Sequence, residues 1–300
     1  MVPHDFKKLA RIFSEIADRA ADPDGFIPLH RLARELRADV EFRPLLVEGL
    51  IAAPKDSCVH GWKVLVDIET HAVTEQAFET EGSRSPLGAR VRNTVAHELA
   101  HTLGFRSREF GFESKLTGKD LIKEIESETE KLSPLFLIPH CFLRSLCDEA
   151  KSGLSVSALA EARKRLGVSS NILVARLALL PETDDHSLLY HPALANVAIG
   201  LGQWRNKRTA EFLCPPLFTH FSGVSPRFLF QLKNRQNPAV GEVFSDPDLF
   251  LNGGTVTSTT AILEAGTFKN PTSDEIKVEF SVEAVEKRSE AIFLWVARAT

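Results

Sequence analysis

Apolar residues recur every three to four positions through the first half of the chain, which is the period of an amphipathic helix. This spacing predicts a helix over residues 5–20, which the Asp-Pro-Asp-Gly segment at 22–25 ends. Further helices are predicted over residues 27–36, 91–103 and 119–132, with two short ones within 154–180. The N-terminal half of the chain is therefore predicted to be mainly helical.

Strand patterns are rare in the first half and dominate the last third. Residues 62–68 are rich in β-branched side chains and predict a strand, whereas the polar residues 69–91 predict a long loop. Strands are also predicted over residues 196–204, 210–218, 256–263, 276–282 and 291–297. The last of these is continuously apolar, which is typical of a central strand buried on both faces.

This succession predicts an α+β protein in three parts. A mainly helical domain with a small sheet covers residues 1–150, and a helix-turn-helix-like segment covers 151–183. A mixed α/β domain covers residues 184–300. The length of 300 residues suits more than one domain.

Composition and charge exclude several classes of protein. A hydrophobic share of 43% excludes a mostly disordered chain, and a net charge of −4 argues against a nucleic-acid coat or a membrane-surface binder. No run of about 18 apolar residues occurs, so no membrane span is expected. The N-terminus lacks the apolar core of a signal peptide, and the four cysteines form no C-x-x-C pair. We therefore expect a cytoplasmic protein.

Residues 97–101 read His-Glu-Leu-Ala-His, an H-E-x-x-H motif inside the helix predicted over 91–103. Residues four apart on a helix share a face with Cβ atoms about 5–6 Å apart, so His97 and His101 can bind one Zn²⁺. Glu98 projects beside them, where it can take a proton from a metal-activated water. The motif predicts a zinc hydrolase centre.

A catalytic zinc needs a third protein ligand and one open position. Ser107 stands where a metzincin has its third histidine, so that class is excluded. A glutamate from the helix predicted over 119–132 remains, and Glu124, Glu126 and Glu128 are all candidates.

The strand, the A-H-E-L-A-H helix and residues 126–139 together resemble the ImmA/IrrE family of zinc metallopeptidases. The family's second element is E-x-[EQ]-A-[ND]-x-F-A-x-x-L-L-x-P, and this chain has E-S-E-T-E-K-L-S-P-L-F-L-I-P. In this register Glu126 matches the ligand glutamate. Thr129, Leu132 and the Ser-Pro pair at 133–134 depart from the pattern, and the proline is expected to kink the helix.

The resemblance implies a zincin-like core that binds zinc, with manganese as an alternative metal, through His97, His101 and Glu126. It implies a narrow-specificity endopeptidase, with Glu98 as general base, that cleaves a regulatory protein such as a DNA-binding repressor. The strand over 62–68 is the element expected to align the substrate. A GAF-type sensory domain would follow the helix-turn-helix-like segment.

Two alternatives stay open on the sequence alone. One is a catalytically inactive metal-binding regulator or stress sensor, and the other is a DNA-binding transcription factor. The second helix of the helix-turn-helix-like segment offers Asn171 and Arg176 but is otherwise apolar, so direct nucleic-acid binding is not expected. For a group that stabilises the oxyanion, His140, Arg92 and a loop residue are all candidates.

Overall fold

A computed structural model describes residues 3–52, 61–83, 87–105, 118–150, 153–181, 183, 186–195, 197–205, 209–212, 218–220, 257–266, 271–286 and 291–299. Over these residues the chain has the predicted α+β architecture, with helices and two separate sheets. It divides into two compact units. Unit 1 comprises Met1–Ser145 and Arg163–Asp185, and unit 2 comprises Leu146–Ala162 and His186–Thr300.

The six predicted helices are present, and the described residues contain four more that were not predicted. In chain order they are α1 Pro3–Ala20, α2 Leu29–Glu35, α3 Ile68–His71, α4 Glu75–Glu79, α5 Ala89–Phe105, α6 Gly118–Leu132, α7 His140–Glu149, α8 Val156–Leu166, α9 Ser170–Ala178 and α10 His186–Leu189. No helix within the described ranges combines the length and the apolar composition that crossing a bilayer requires.

The sheet of unit 1 has three strands, β1 Ala38–Arg43, β2 Gly49–Ala52 and β3 Trp62–Asp67, in the order β1-β3-β2. The central strand β3 runs parallel to β1 and antiparallel to β2. Its residues from Val64 to Asp67 are all buried, and α5 packs against β2 and β3. The predicted strand over 62–68 is confirmed, and it forms the middle of this sheet.

The segment after β3 is not the continuous loop that its polarity predicted, because two short helices interrupt it. The Asp67 carboxylate accepts hydrogen bonds from the backbone N–H groups of Glu69 and Thr70, 3.4 and 2.8 Å away, and so caps α3. Hydrogen bonds from the Thr70 side chain and from the Leu45 and Thr70 backbones lower the pKa of Asp67 to about 2. Thr74 caps α4 by accepting from the Ala77 N–H.

A buried ion pair anchors the N-terminal part of α5. Arg92 pairs with Glu81, and both side chains are fully buried. The Arg92 guanidinium also donates to the Ile27 carbonyl at 3.1 Å and stacks 4.3 Å from the centre of the Phe26 ring. Glu81 accepts from the Leu29 N–H at 2.7 Å. Burial lowers the pKa of Arg92, and the charge of Glu81 opposes this shift.

Helix α6 ends cleanly before its proline. Pro134 lies in a 3₁₀ turn over Ser133–Phe136, directly after the last residue of α6, Leu132. The prediction that Pro134 kinks the helix is therefore wrong. The proline occupies the first turn of a new element, where its missing N–H costs no helical hydrogen bond. Glu126 and Thr129 lie in an uninterrupted helix.

The helix-turn-helix-like segment contains the two predicted helices, α8 and α9, with Gly167 at φ +61° between them. Ser169 caps α9 by accepting from the Ile172 N–H at 3.3 Å. Most of α9 is buried. Arg176 is fully buried, and its Nε donates to the Ile138 carbonyl at 2.9 Å.

The described strands of unit 2 form one sheet in the order β5-β4-β9-β8-β7, with β6 also paired to β4. They are β4 Val197–Arg205, β5 Thr209–Phe212, β6 Phe218–His220, β7 Thr257–Gly266, β8 Pro271–Glu286 and β9 Ala291–Ala299. β9 lies between β4 and β8, which confirms the predicted central strand. The described strand pairs of this sheet are all antiparallel. Only residues 267–270 and 287–290 separate β7, β8 and β9, and parallel pairing needs a longer crossover.

Replacing Arg92 by Met is expected to destabilise the protein by about 3–5 kcal/mol, because it leaves the Glu81 carboxylate buried without its cation. The control is R11M, which removes an exposed ion pair with Glu15 on α1 and should change stability little. Urea unfolding of both variants measures the difference. Equal stability of R92M and R11M would show that the buried pair does not anchor α5.

Candidate metal centre

The two histidines of the H-E-x-x-H motif lie side by side on α5. Val95, Ala96 and Leu99 are fully buried and fix the other face of this helix in the core. The rings of His97 and His101 meet edge to face with centres 4.8 Å apart, and their Nε2 atoms are 3.2 Å apart. The local helical geometry therefore presents two imidazole nitrogens at one point.

Helix α6 packs against α5 and brings Glu126 to the same point. Glu126 Oε1 lies 3.1 Å from His97 Nε2, and Oε2 lies 3.1 Å from His101 Nε2. Among the described residues, His97, His101 and Glu126 are the one group of three or more potential ligands with all ligand atoms within 4.8 Å. Glu124 and Glu128, the alternatives on the same helix, do not belong to this group.

The spacing of these atoms fits a tetrahedral metal ion. Zinc bonds of about 2.0–2.1 Å in tetrahedral geometry place neighbouring ligand atoms about 3.3 Å apart. The two histidine Nε2 atoms are 3.2 Å apart, and each lies 3.1 Å from a different oxygen of the Glu126 carboxylate. Two imidazoles and one carboxylate are a ligand set that zinc accepts, and the Glu126 side chain is 57% exposed, so solvent reaches the group. The three side chains could hold zinc and leave a fourth position for water.

The surroundings of His101 favour the neutral form of its imidazole, which is the form that binds a metal ion. Burial lowers the pKa of His101, and the neighbouring His97 lowers it further, while Glu126 opposes both effects. A neutral imidazole is the form that binds a metal ion, so burial prepares His101 for this role.

Glu98 is nearly buried beside the cluster, with 9% of its surface exposed. Burial, and then the charge of Glu126, raises the pKa of Glu98 to about 7. A carboxylate with a pKa near neutrality can both take up and release a proton under physiological conditions.

Gly49 of β2 forms a wall of the space around Glu98. A Cβ atom at this position would lie 2.9 Å from both Cγ and Oε1 of Glu98 and 2.8 Å from Cγ2 of Thr94. Such distances are too short for real carbon atoms, so only glycine lets the β2 backbone lie against Glu98. Neither β2 nor Gly49 was predicted from the sequence, because an isolated glycine in a short, irregular stretch carries no such signal.

Thr129 is a second contact of the cluster that was not predicted from the sequence. Its Oγ1 lies 3.3 Å from Nδ1 of His101, and the residue is 2% exposed. In the family pattern Thr129 is only a departure from alanine. Its position three residues after Glu126 on α6 was the available signal, since residues three apart share a helix face.

The structure does not bring the two named oxyanion candidates into the metal group. Arg92 is buried and bound to Glu81 and to the Ile27 carbonyl. His140 begins α7, where its N–H donates to Asp18 and its ring lies 3.5 Å from Arg144. An oxyanion role for Arg92 is therefore excluded by its buried partners.

The strand expected to align a substrate is also corrected. β3 pairs with β1 on one side and with β2 on the other, so its backbone has no open edge along most of its length. Within the described residues β2 pairs with β3 alone, which leaves its other edge open beside α5.

Comparison with known proteins gives no further assignment. No protein-family model matches the chain, and no curated protein sequence matches it. The function of the site is therefore inferred from its geometry.

In the metal-free protein, stability is expected to fall as the pH rises from about 4.5 to about 7. Glu98 ionises near pH 4.5 in the unfolded chain but near pH 7 in the fold, so unfolding releases a proton in this range. In the variant E98Q, the free energy of unfolding should fall by about 1–3 kcal/mol less over this pH range than in the parent protein. Urea unfolding between pH 4.5 and 8 tests this prediction. The control is E15Q, which makes the same change from glutamate to glutamine at an exposed position. An E98Q variant that keeps the full pH dependence would contradict the assignment to Glu98.

Proposed function

We propose that the protein is a zinc-dependent endopeptidase in which His97, His101 and Glu126 bind the metal and Glu98 is the general base. The observation that carries this proposal is the convergence of the ligand atoms of His97, His101 and Glu126 on one point, with Glu98 adjacent on the same helix as the histidines. The resemblance to ImmA/IrrE peptidases agrees with this ligand set, since it implies the same four residues.

Zinc held by these side chains would supply a Lewis acid that polarises a carbonyl group and makes a coordinated water more acidic. Glu98 accepts a proton from the attacking water and later delivers it to the departing amine. Its raised pKa suits both steps, because a base that ionises near neutrality also returns its proton readily. The β2 backbone at Gly49 limits the space open to solvent around its carboxylate.

A polypeptide substrate suits the surface beside Glu98. The open edge of β2 can pair with an extended chain through main-chain hydrogen bonds, and Gly49 places this edge next to Glu98. Exposed apolar side chains lie along the same segment, with Leu46 fully exposed and Val47 and Leu50 about half exposed. These residues would contact apolar side chains of the bound segment.

The wider parts of the proposal rest on the resemblance. They are a zincin-like fold for the catalytic unit, a GAF-like sensory role for the C-terminal sheet and a DNA-binding repressor as substrate. A reducing, cytoplasmic setting is supported by the free thiols of Cys141 and Cys147.

A DNA-binding function is less well supported than a peptidase. In the second helix of the helix-turn-helix-like segment, Arg176 is fully buried and bound to a backbone carbonyl. Base and phosphate contacts need exposed polar side chains, and Arg176 was one of the two that the sequence offered.

The purified protein, reconstituted with zinc, is expected to bind about one ion per chain, and E126A should lose it. The matched control is E128A, which removes a carboxylate two residues away on α6 and should retain the metal. Elemental mass spectrometry after gel filtration gives the stoichiometry. A parent protein that binds no zinc after reconstitution would overturn the proposal.

The zinc-loaded protein is expected to cleave peptides, and E98Q should reduce the rate by about 10²–10⁴-fold while retaining the metal. Digestion of a complex peptide mixture, followed by mass spectrometry of the new termini, detects cleavage at many different sequences at once. Full activity in E98Q would exclude Glu98 as the base. A zinc-loaded parent protein without new termini would instead favour the metal-binding regulator.

A further inference from the structure

Thr129 and His101 form a buried polar contact between α6 and α5. Thr129 Oγ1 lies 3.3 Å from His101 Nδ1, and the two residues are 2% and 7% exposed. The hydroxyl therefore faces the nitrogen of the His101 ring that points away from the metal group.

A neutral imidazole has one N–H, so the partner of one nitrogen decides which lone pair is available at the other. In His101 the Nε2 atom lies 3.2 Å from His97 Nε2 and 3.1 Å from Glu126 Oε2. Nε2 can bind a metal ion only when the proton is on Nδ1. A buried Nδ1–H needs an acceptor, and Thr129 Oγ1 is at the required position.

The place of Thr129 in α6 suits the accepting role. A threonine hydroxyl oxygen carries two lone pairs, so it can accept a hydrogen bond from an incoming N–H. Its distance of three residues from Glu126 puts both side chains on the face of α6 that meets α5.

From this geometry we propose that Thr129 is a positioning residue that holds His101 in the Nδ1–H tautomer and so prepares Nε2 for the metal. The inference rests on the proposed zinc site. It also gives a physical role to the residue that departs from the alanine of the family pattern. Residues that bind the outer nitrogen of a metal-ligating histidine commonly change metal affinity by about 10–100-fold.

The decisive comparison is between T129V and T129S. Valine keeps the shape of threonine without its hydroxyl, whereas serine keeps the hydroxyl. Zinc affinity, measured by competition with a chromogenic chelator, should fall about 10–100-fold in T129V and stay within about threefold of the parent in T129S. Thermal unfolding of the metal-free variants shows whether each one folds.

A second measurement reads the tautomer directly and does not depend on T129V folding. Long-range ¹H–¹⁵N NMR of the zinc-loaded parent protein at pH 8 should show the proton of His101 on Nδ1 and the metal on Nε2, and T129S should show the same. An Nε2–H tautomer in the parent protein would overturn the inference.

The outcomes separate this inference from the proposed function. A folded T129V that binds zinc as tightly as the parent protein would overturn the role of Thr129 and leave the zinc site intact. A parent protein that binds no zinc would instead overturn the proposed function on which the inference rests.

Discussion

The buried ion pair between Arg92 and Glu81 is the constraint on which the candidate site depends. Both charges are removed from water, so they are tolerated only because each also binds a backbone group, the Ile27 carbonyl and the Leu29 N–H respectively. The pair fixes the first turns of α5 against the start of α2. The H-E-x-x-H residues follow within two turns of the same helix, so the position of the whole site depends on this anchor.

Local rules were sufficient to predict α5 and the pairing of its histidines, since the i, i+4 relation is a property of one helix. They were not sufficient for β1 and β2, because most residues of these two strands are of intermediate burial, so neither strand has one clearly buried and one clearly exposed face. Gly49 and Thr129 matter through contacts with residues distant in the chain, which no local pattern contains. The choice of Glu126 over its neighbours came from the register of a family pattern, whereas its place in the cluster depends on the packing of α6 against α5.

The charges around His97, His101 and Glu126 suit the bound cation proposed above. Glu98 and Glu126 both carry acidic groups, and the charge of Glu126 adds to burial in keeping the Glu98 proton in place. The neighbouring His97 in turn disfavours protonation of His101. A divalent ion at the centre would offset the repulsion between the Glu98 and Glu126 carboxylates.

The open edge of β2 has a consequence for the behaviour of the protein in concentrated solution. Among the described residues this edge pairs with no other strand, and exposed Leu46, Val47 and Leu50 border it, so it can join the corresponding edge of another molecule. Natural sheets commonly protect such edges with lysine, proline or a bulge, and β2 reads Gly-Leu-Ile-Ala. A charge introduced at this edge to prevent self-association would lie close to Glu98, so it would also impede the binding of an extended chain that is proposed above.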